Sequence, residues 1–306
     1  MGDPKTEHAS EQTKEHIEAR SDGVVRVITL ARPEKRNAFT FAMYDALARA
    51  LARADADDDV RVVLIEGAGG AFTAGNDLAD FLQLSGAGAA NGGDADADAG
   101  AARTGASDRG SSANAARASA SGGNSTTRAG ASGDDGAAVR VLLQLVDQQK
   151  PIVCAVDGVA IGIGTTMLLH ADYIAASTRA RFALPFVNLG LSPEGGSSLL
   201  LPMLVGLQRA SEWLLFGEPF DAARAMQAGL VNEVVEPEAL ATRAMARARA
   251  LAERPAAALA AAKRLLREPL RAQVKATIER EWHVFVERLA SPEATQAMQA
   301  FLQKKR

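Results

Sequence analysis

A chain of 306 residues, 47% hydrophobic and 23% charged with a net charge of −3, can bury a sizeable core and carries no basic excess. That balance excludes a charge-driven nucleic-acid binder, and no apolar run reaches the roughly 18 residues that a membrane span requires. The single cysteine, Cys154, cannot close an internal disulfide; set in the apolar run Pro151–Val156, it reads as a buried reduced thiol and points to a cytoplasmic, reducing location.

The opening residues are polar and lack the apolar centre of a leader, so residues 1–21 are expected to be a disordered tail. Val24 to Leu30 reads as the first strand, ended by Arg32-Pro33. Met43, Leu47 and Leu51 follow at helical spacing. Val60 to Ile65 is rich in β-branched residues and is broken by Gly67-Ala68-Gly69-Gly70. Residues 85–138 contain only Ala, Gly, Ser, Asn, Asp, Thr and Arg, too little apolar surface to offset ordering entropy, and are expected to be a disordered insertion. A helix over Val139 to Val146 and a buried strand over Pro151 to Val156 come next. A helix over Thr165 to His170 and strands over Asp172 to Ala176 and Arg181 to Leu184 follow. From Gln208 the pattern is mostly helical, with Pro255, Pro269 and Pro292 expected near helix ends. Strands alternating with helices indicate an α/β fold with a mainly parallel sheet. The expected division is a core over residues 22–205 and a helical region over residues 206–306.

Two small-residue loops follow apolar strands: Gly69 to Leu78 (GGAFTAGNDL) and Asp157 to Gly164 (DGVAIGIG). Neither fits G-x-G-x-x-G or a phosphate-binding P-loop, and either alone is an ordinary strand-to-helix turn. Facing each other, they could supply two backbone N–H donors to one carbonyl oxygen, the arrangement that stabilises a developing oxyanion.

The loops belong to a longer ordered set: Arg32-Pro33-Glu34-Lys35-Arg36-Asn37-Ala38-Phe39, Ala71 to Leu78, Asp157 to Gly164 with Ala171-Asp172 after it, Phe182-Ala183-Leu184-Pro185, Leu189-Gly190-Leu191-Ser192-Pro193, and Gly229 to Val235. This set resembles the crotonase (enoyl-CoA hydratase/isomerase) superfamily over residues 22–306 outside the insertion. The resemblance implies a ββα spiral with a helical C-terminal region that closes the acyl-CoA pocket and supports a homotrimer or hexamer. It implies an acyl-CoA thioester substrate, no cofactor beyond that coenzyme A, and neither a nucleic-acid nor a membrane partner. It places the oxyanion hole at the amides of Asn76 and Ile163, where isoleucine replaces the usual glycine. It assigns CoA or acyl contacts to Arg36, Ala38, Ala74, Asn76, Asp77, Leu78, Ile163, Phe186, Phe301 and Lys304.

The glutamates with which a typical hydratase activates water correspond here to Thr166 and Phe186, neither of which serves as a general base. Glu194, in Pro185 to Gly195, resembles the single acid/base of peroxisomal-type Δ3,Δ2-enoyl-CoA isomerases, which work in fatty-acid β-oxidation. The resemblance thus implies a Δ3,Δ2-enoyl-CoA isomerase. The alternatives are a hydratase or other crotonase-type enzyme, and a catalytically weak acyl-CoA-binding protein. Read from spacing alone, Ser192-Pro193-Glu194 would instead be N-cap, N1 and N2 of a helix. Helix polarity would lower the pKa of Glu194, whereas an apolar pocket of Phe186 and Leu191 would raise it.

Overall fold

The computed structural model describes residues 15–78 and 136–304. A six-stranded sheet forms the centre: β1 (Ile17–Asp22), β2 (Val25–Leu30), β3 (Val62–Gly67), β4 (Ile152–Val156), β6 (Tyr173–Ser177) and β9 (Glu233–Val235), in the spatial order β1-β2-β3-β4-β6-β9. Only the β1/β2 pair is antiparallel. A smaller sheet joins β5 (Val159–Ile161), β7 (Arg181–Ala183) and β8 (Phe220–Asp221). The helices are α1 (Phe41–Ala56), α2 (Ala137–Asp147), α3 (Ile163–Thr166), α4 (Ser197–Val205), α5 (Leu207–Ser211), α6 (Ala222–Gln227), α7 (Pro237–Ala252), α8 (Ala256–Leu289) and α9 (Pro292–Lys304).

Every residue of β4 is buried, as a parallel strand covered on both faces requires. One face of the large sheet packs Val25, Val27, Val62, Leu64 and Val153 against Leu240, Ala244, Ala248 and Ala252 of α7. That four-residue spacing is one helix stripe, and its alanines let the helix lie close to the strands. The other face, with Ile28, Leu30, Val63, Ile65 and Cys154, joins α1, α2 and α8 in the main core, and it is on this side that the site forms. Helix α1 starts at Thr40, whose hydroxyl accepts from Met43 N at 3.2 Å.

The structure corrects several boundaries. Order begins before Gly23, because Ile17–Asp22 is an edge strand paired with β2 from Ile17↔Leu30 to Asp22↔Val25. The insertion expected over residues 85–138 lies outside the described residues up to 135, and its last two residues, Ala137 and Ala138, open α2 with buried side chains. Pro269 lies inside α8 and does not end it. The rung it removes would accept at Leu265, a residue 73% exposed, where water can replace the lost donor. Phe216 is 65% exposed, while Trp213 and Phe220 stack in the core with ring centroids 3.7 Å apart. Among the described residues no helix is long and apolar enough to cross a membrane.

Candidate active site

The two loops are stitched together by main-chain bonds. Phe72 N donates to Asp157 O at 2.7 Å, Thr73 N to Val159 O at 2.9 Å, and Ile161 N back to Thr73 O at 3.1 Å. Asn37 holds the first loop from behind: it is fully buried, its Nδ2 donates to Ala68 O at 2.9 Å and Ala71 O at 2.7 Å, and its main-chain carbonyl accepts from Thr73 Oγ1 at 2.6 Å. Its φ of 57° is a left-handed conformation that asparagine tolerates better than most residues. Gly75 has φ of 84°, and a Cβ there would lie 2.7 Å from Ile161 O. Gly75→Ala is therefore expected to cost about 2 kcal/mol or more. Thermal denaturation should show it as a Tm lower by roughly 4–8 °C.

On the first loop Ala74 N donates to Arg36 O, Gly75 N to Thr73 Oγ1 and Asp77 N to Phe39 O. On the second, Gly162 N donates to Ala183 O, and Thr165 N and Thr166 N to Gly162 O. Between these engaged amides lie those of Asn76 and Ile163, which have no recorded acceptor among the described residues. Asn76, Ile163 and Glu194 line one cavity with Tyr44 of α1, Leu142 of α2 and Ile278, Trp282 and Phe285 of α8. Glu194 is the one carboxylate among these lining residues.

Glu194 is only 7% exposed, and Thr166 Oγ1 donates to its Oε1 at 2.6 Å. Burial among apolar side chains is the largest influence on its carboxyl and raises its pKa from 4.5 to about 8; the Thr166 hydrogen bond opposes the rise and repulsion from Glu281 adds to it. Glu194 does not occupy the first turn of a helix. Helix α4 begins at Ser197, after Gly195 and Gly196 take left-handed conformations with φ of 73° and 76°. Glycine is needed at 195, where a Cβ would come within 2.9 Å of the Thr166 side chain. The apolar wall also differs from expectation. Phe186 and Leu191 are buried but do not line this cavity, and α1, α2 and α8 supply its apolar surface.

Residues outside the expected set complete the site. The Tyr44 hydroxyl donates to Asn76 Oδ1, and its ring stacks on Phe39 with centroids 4.7 Å apart. Burial, and then the nearby Glu194, push the Tyr44 hydroxyl well above its ordinary pKa, so it stays a donor. Its signal in the sequence was a tyrosine on the buried stripe of α1, whose hydroxyl had to find a partner. Thr166, read only as a missing glutamate, is the hydrogen-bond partner of Glu194.

The remaining candidates lie around the cavity or away from it. Arg36 is exposed, Ala38 is buried, and Ala74 is partly buried. Asp77 pairs with Arg32 at 2.8 Å, and Leu78 packs against the main core. Phe301, 39% exposed on α9, is not among the residues lining the cavity, and the side chain expected at Lys304 lies outside the described residues. Asp157 is structural, held by Ser177 Oγ at 2.6 Å, by Gly158 N at 2.9 Å and by Arg179. His170 is buried with Nε2 2.8 Å from Gly195 O, and burial lowers its pKa to about 4. Among the described residues no three His, Cys, Asp or Glu side chains gather as a metal site would require.

Comparison with known proteins decides the family. Residues 20–97 and 120–306 match the family described as enoyl-CoA hydratase/isomerase. The chain belongs to this family. Within it, the chain is 32% identical to enoyl-CoA delta isomerase 2 of Rattus norvegicus over 96% of its own length and 65% of that protein's. It is also 32% identical to 1,2-epoxyphenylacetyl-CoA isomerase of Escherichia coli K12, over 76% of this chain and 74% of that one. The Pseudomonas aeruginosa OdaA structure superposes with a TM-score of 0.77 at 34% identity, covering 94% of this chain and 98% of the other. The crotonase fold expected from the motifs is thus the fold observed, and the helical C-terminal region supplies one wall of the cavity that holds Glu194.

Proposed function

We propose that this enzyme is a Δ3,Δ2-enoyl-CoA isomerase in which Glu194 is the single acid/base. The observation that carries the reading is one buried carboxylate in a cavity that also contains Asn76 and Ile163. The thioester carbonyl of a 3-enoyl-CoA would accept from the amides of Asn76 and Ile163. The Glu194 carboxylate would take a proton from C2, and the electron pair left behind would spread over the dienolate to that carbonyl oxygen. The protonated Glu194 would return the proton to C4 as the C2=C3 bond forms, giving the 2-enoyl-CoA. A pKa of about 8 makes Glu194 a far stronger base than an ordinary carboxylate, as removal of a thioester α-proton demands. Tyr44 would orient Asn76 through its side chain.

Two observations support this reading over two-carboxylate hydration. The hydratase positions are Thr166 and Phe186, and the first of these serves Glu194 directly. The isomerases named above are identical to this chain at 32% of the aligned positions. The E. coli 2,3-dehydroadipyl-CoA hydratase, 28% identical, keeps hydration as the competing activity. Rates with 3-hexenoyl-CoA and crotonyl-CoA, measured without added cofactor, separate the two. Faster isomerisation supports the proposal, faster hydration favours the hydratase, and acyl-CoA binding with neither turnover leaves a binding protein.

Proton abstraction requires the carboxylate, so kcat/KM should rise with pH, pass half its maximum near pH 8 and level off above that. The Thr166 hydrogen bond favours the ionised form. Thr166→Val should therefore move this acidic limb upward by about one pH unit while leaving KM at high pH nearly unchanged. A limb that stays in place would remove Thr166 from the proton chemistry.

A further inference from the structure

Helix α8 buries Val274, Thr277, Ile278, Glu281 and Phe285 along one stripe, and Glu281 is the one ionisable member of that stripe. It is 7% exposed. Its Oε2 accepts from Gly196 N at 2.6 Å and its Oε1 from Ser198 N at 2.8 Å. Among the described residues no cation is recorded as its partner. These amides belong to the turn that carries the base: Glu194 O accepts from Ser197 Oγ at 2.6 Å, and Gly195 and Gly196 are both left-handed. Gly196, the residue before α4, has no side chain to cap that helix, so the cap comes from 85 residues away.

A local Ser or Asp could cap a helix. A carboxylate from α8 does more: it ties the turn to the helix whose Ile278, Trp282 and Phe285 wall the cavity. It also places a negative charge behind Glu194, where the mostly apolar surroundings screen it little. We propose that Glu281 is a positioning residue of the active site, which locks the Glu194–Gly196 turn and sets the proton affinity of the base through its own charge. The proposal rests on Glu194 being the base.

The titratable groups facing Glu194 are Tyr44 from α1, Glu281 from α8 and, through the Gly195 carbonyl, His170. Thr166 and Asn76 are polar but do not titrate, and Leu142 and Ile163 are apolar. Tyr44 stays protonated and His170 neutral across the working range, which leaves Glu281 as the charge that tunes Glu194.

The test is the pH profile of kcat/KM for 3-hexenoyl-CoA with the 306-residue chain. Glu281→Gln keeps an acceptor for the turn but removes the charge. It should shift the acidic limb downward by about one pH unit, opposite in sign to Thr166→Val, and lower the high-pH plateau severalfold. A Glu281→Gln protein with lower stability but an unmoved limb would make Glu281 a structural cap only and overturn the proposal. If this protein does not fold, Glu281→Asp carries the test. The shorter carboxylate keeps the charge but draws back from the amides, so kcat should fall about fivefold or more with the limb in place, and unchanged kcat would overturn the proposal. Glu194→Gln measured alongside separates the two failures. Activity surviving there removes the base itself, whereas an inactive Glu194→Gln with an unmoved Glu281→Gln limb removes only the role given to Glu281.

Discussion

Glu194→Gln lowers turnover of 3-hexenoyl-CoA between a hundredfold and ten-thousandfold, the range that a positioned general acid/base contributes. Glutamine preserves the volume and can still accept from Thr166 Oγ1, but its amide cannot take a proton from C2. The binding contacts proposed for the thioester are backbone amides on other loops, so Kd for crotonyl-CoA should stay within about threefold of wild type. Steady-state kinetics and calorimetric titration check the two halves separately. A Glu194→Gln enzyme with wild-type kcat would remove the base, and one that no longer binds acyl-CoA would show that the turn at 194 shapes the pocket as well.

The same substitution should stabilise the protein at alkaline pH. Glu194 has a folded pKa of about 8 against an ordinary 4.5, raised chiefly by burial. Below pH 4.5 it is protonated in folded and unfolded chains alike, and the stability associated with its neutral form is fully present. Between 4.5 and 8 the unfolded chain ionises freely while the folded chain holds its proton, so stability falls as pH rises and the loss is complete above pH 8. At about 1.4 kcal/mol per pH unit, the upper bound is about 5 kcal/mol. Glutamine cannot ionise. Glu194→Gln should therefore have a higher Tm than wild type at pH 8.5, with the difference shrinking toward pH 5. Equal Tm values across that range would mean that the folded carboxyl is not desolvated. The opposed effects on rate and stability are what a strained functional group produces.

The central strands were legible because they are buried on both faces: the run from Ile152 to Val156 has no polar residue to mislead. Strand β1 was not, since Ile17 is its only large apolar side chain and its place comes from pairing with β2. Helix α8 runs through Pro269 because packing against α2 and α4 outweighs a local breaker on an exposed segment. At the site, the glycine loops and Glu194 could be found by motif. The shell around Glu194 could not, because Leu142, Ile278 and Phe285 come from helices distant in sequence. Thr166 and Glu281 were hidden for the same reason, as each acts through a contact made only in the folded chain. Glu194 suggested a helix first turn from Ser192-Pro193-Glu194, but the paired glycines at 195 and 196 delay the helix to Ser197 and leave the carboxylate free to enter the cavity.

Single turnover of 3-hexenoyl-CoA carrying deuterium at C2, run in ordinary water, reads the proton shuttle itself. One buried carboxylate that gives back what it takes should deliver a substantial share of that deuterium to C4 of the 2-hexenoyl-CoA formed. Product with only protium at C4, the deuteron taken from C2 having gone entirely to solvent, would contradict transfer by Glu194 alone.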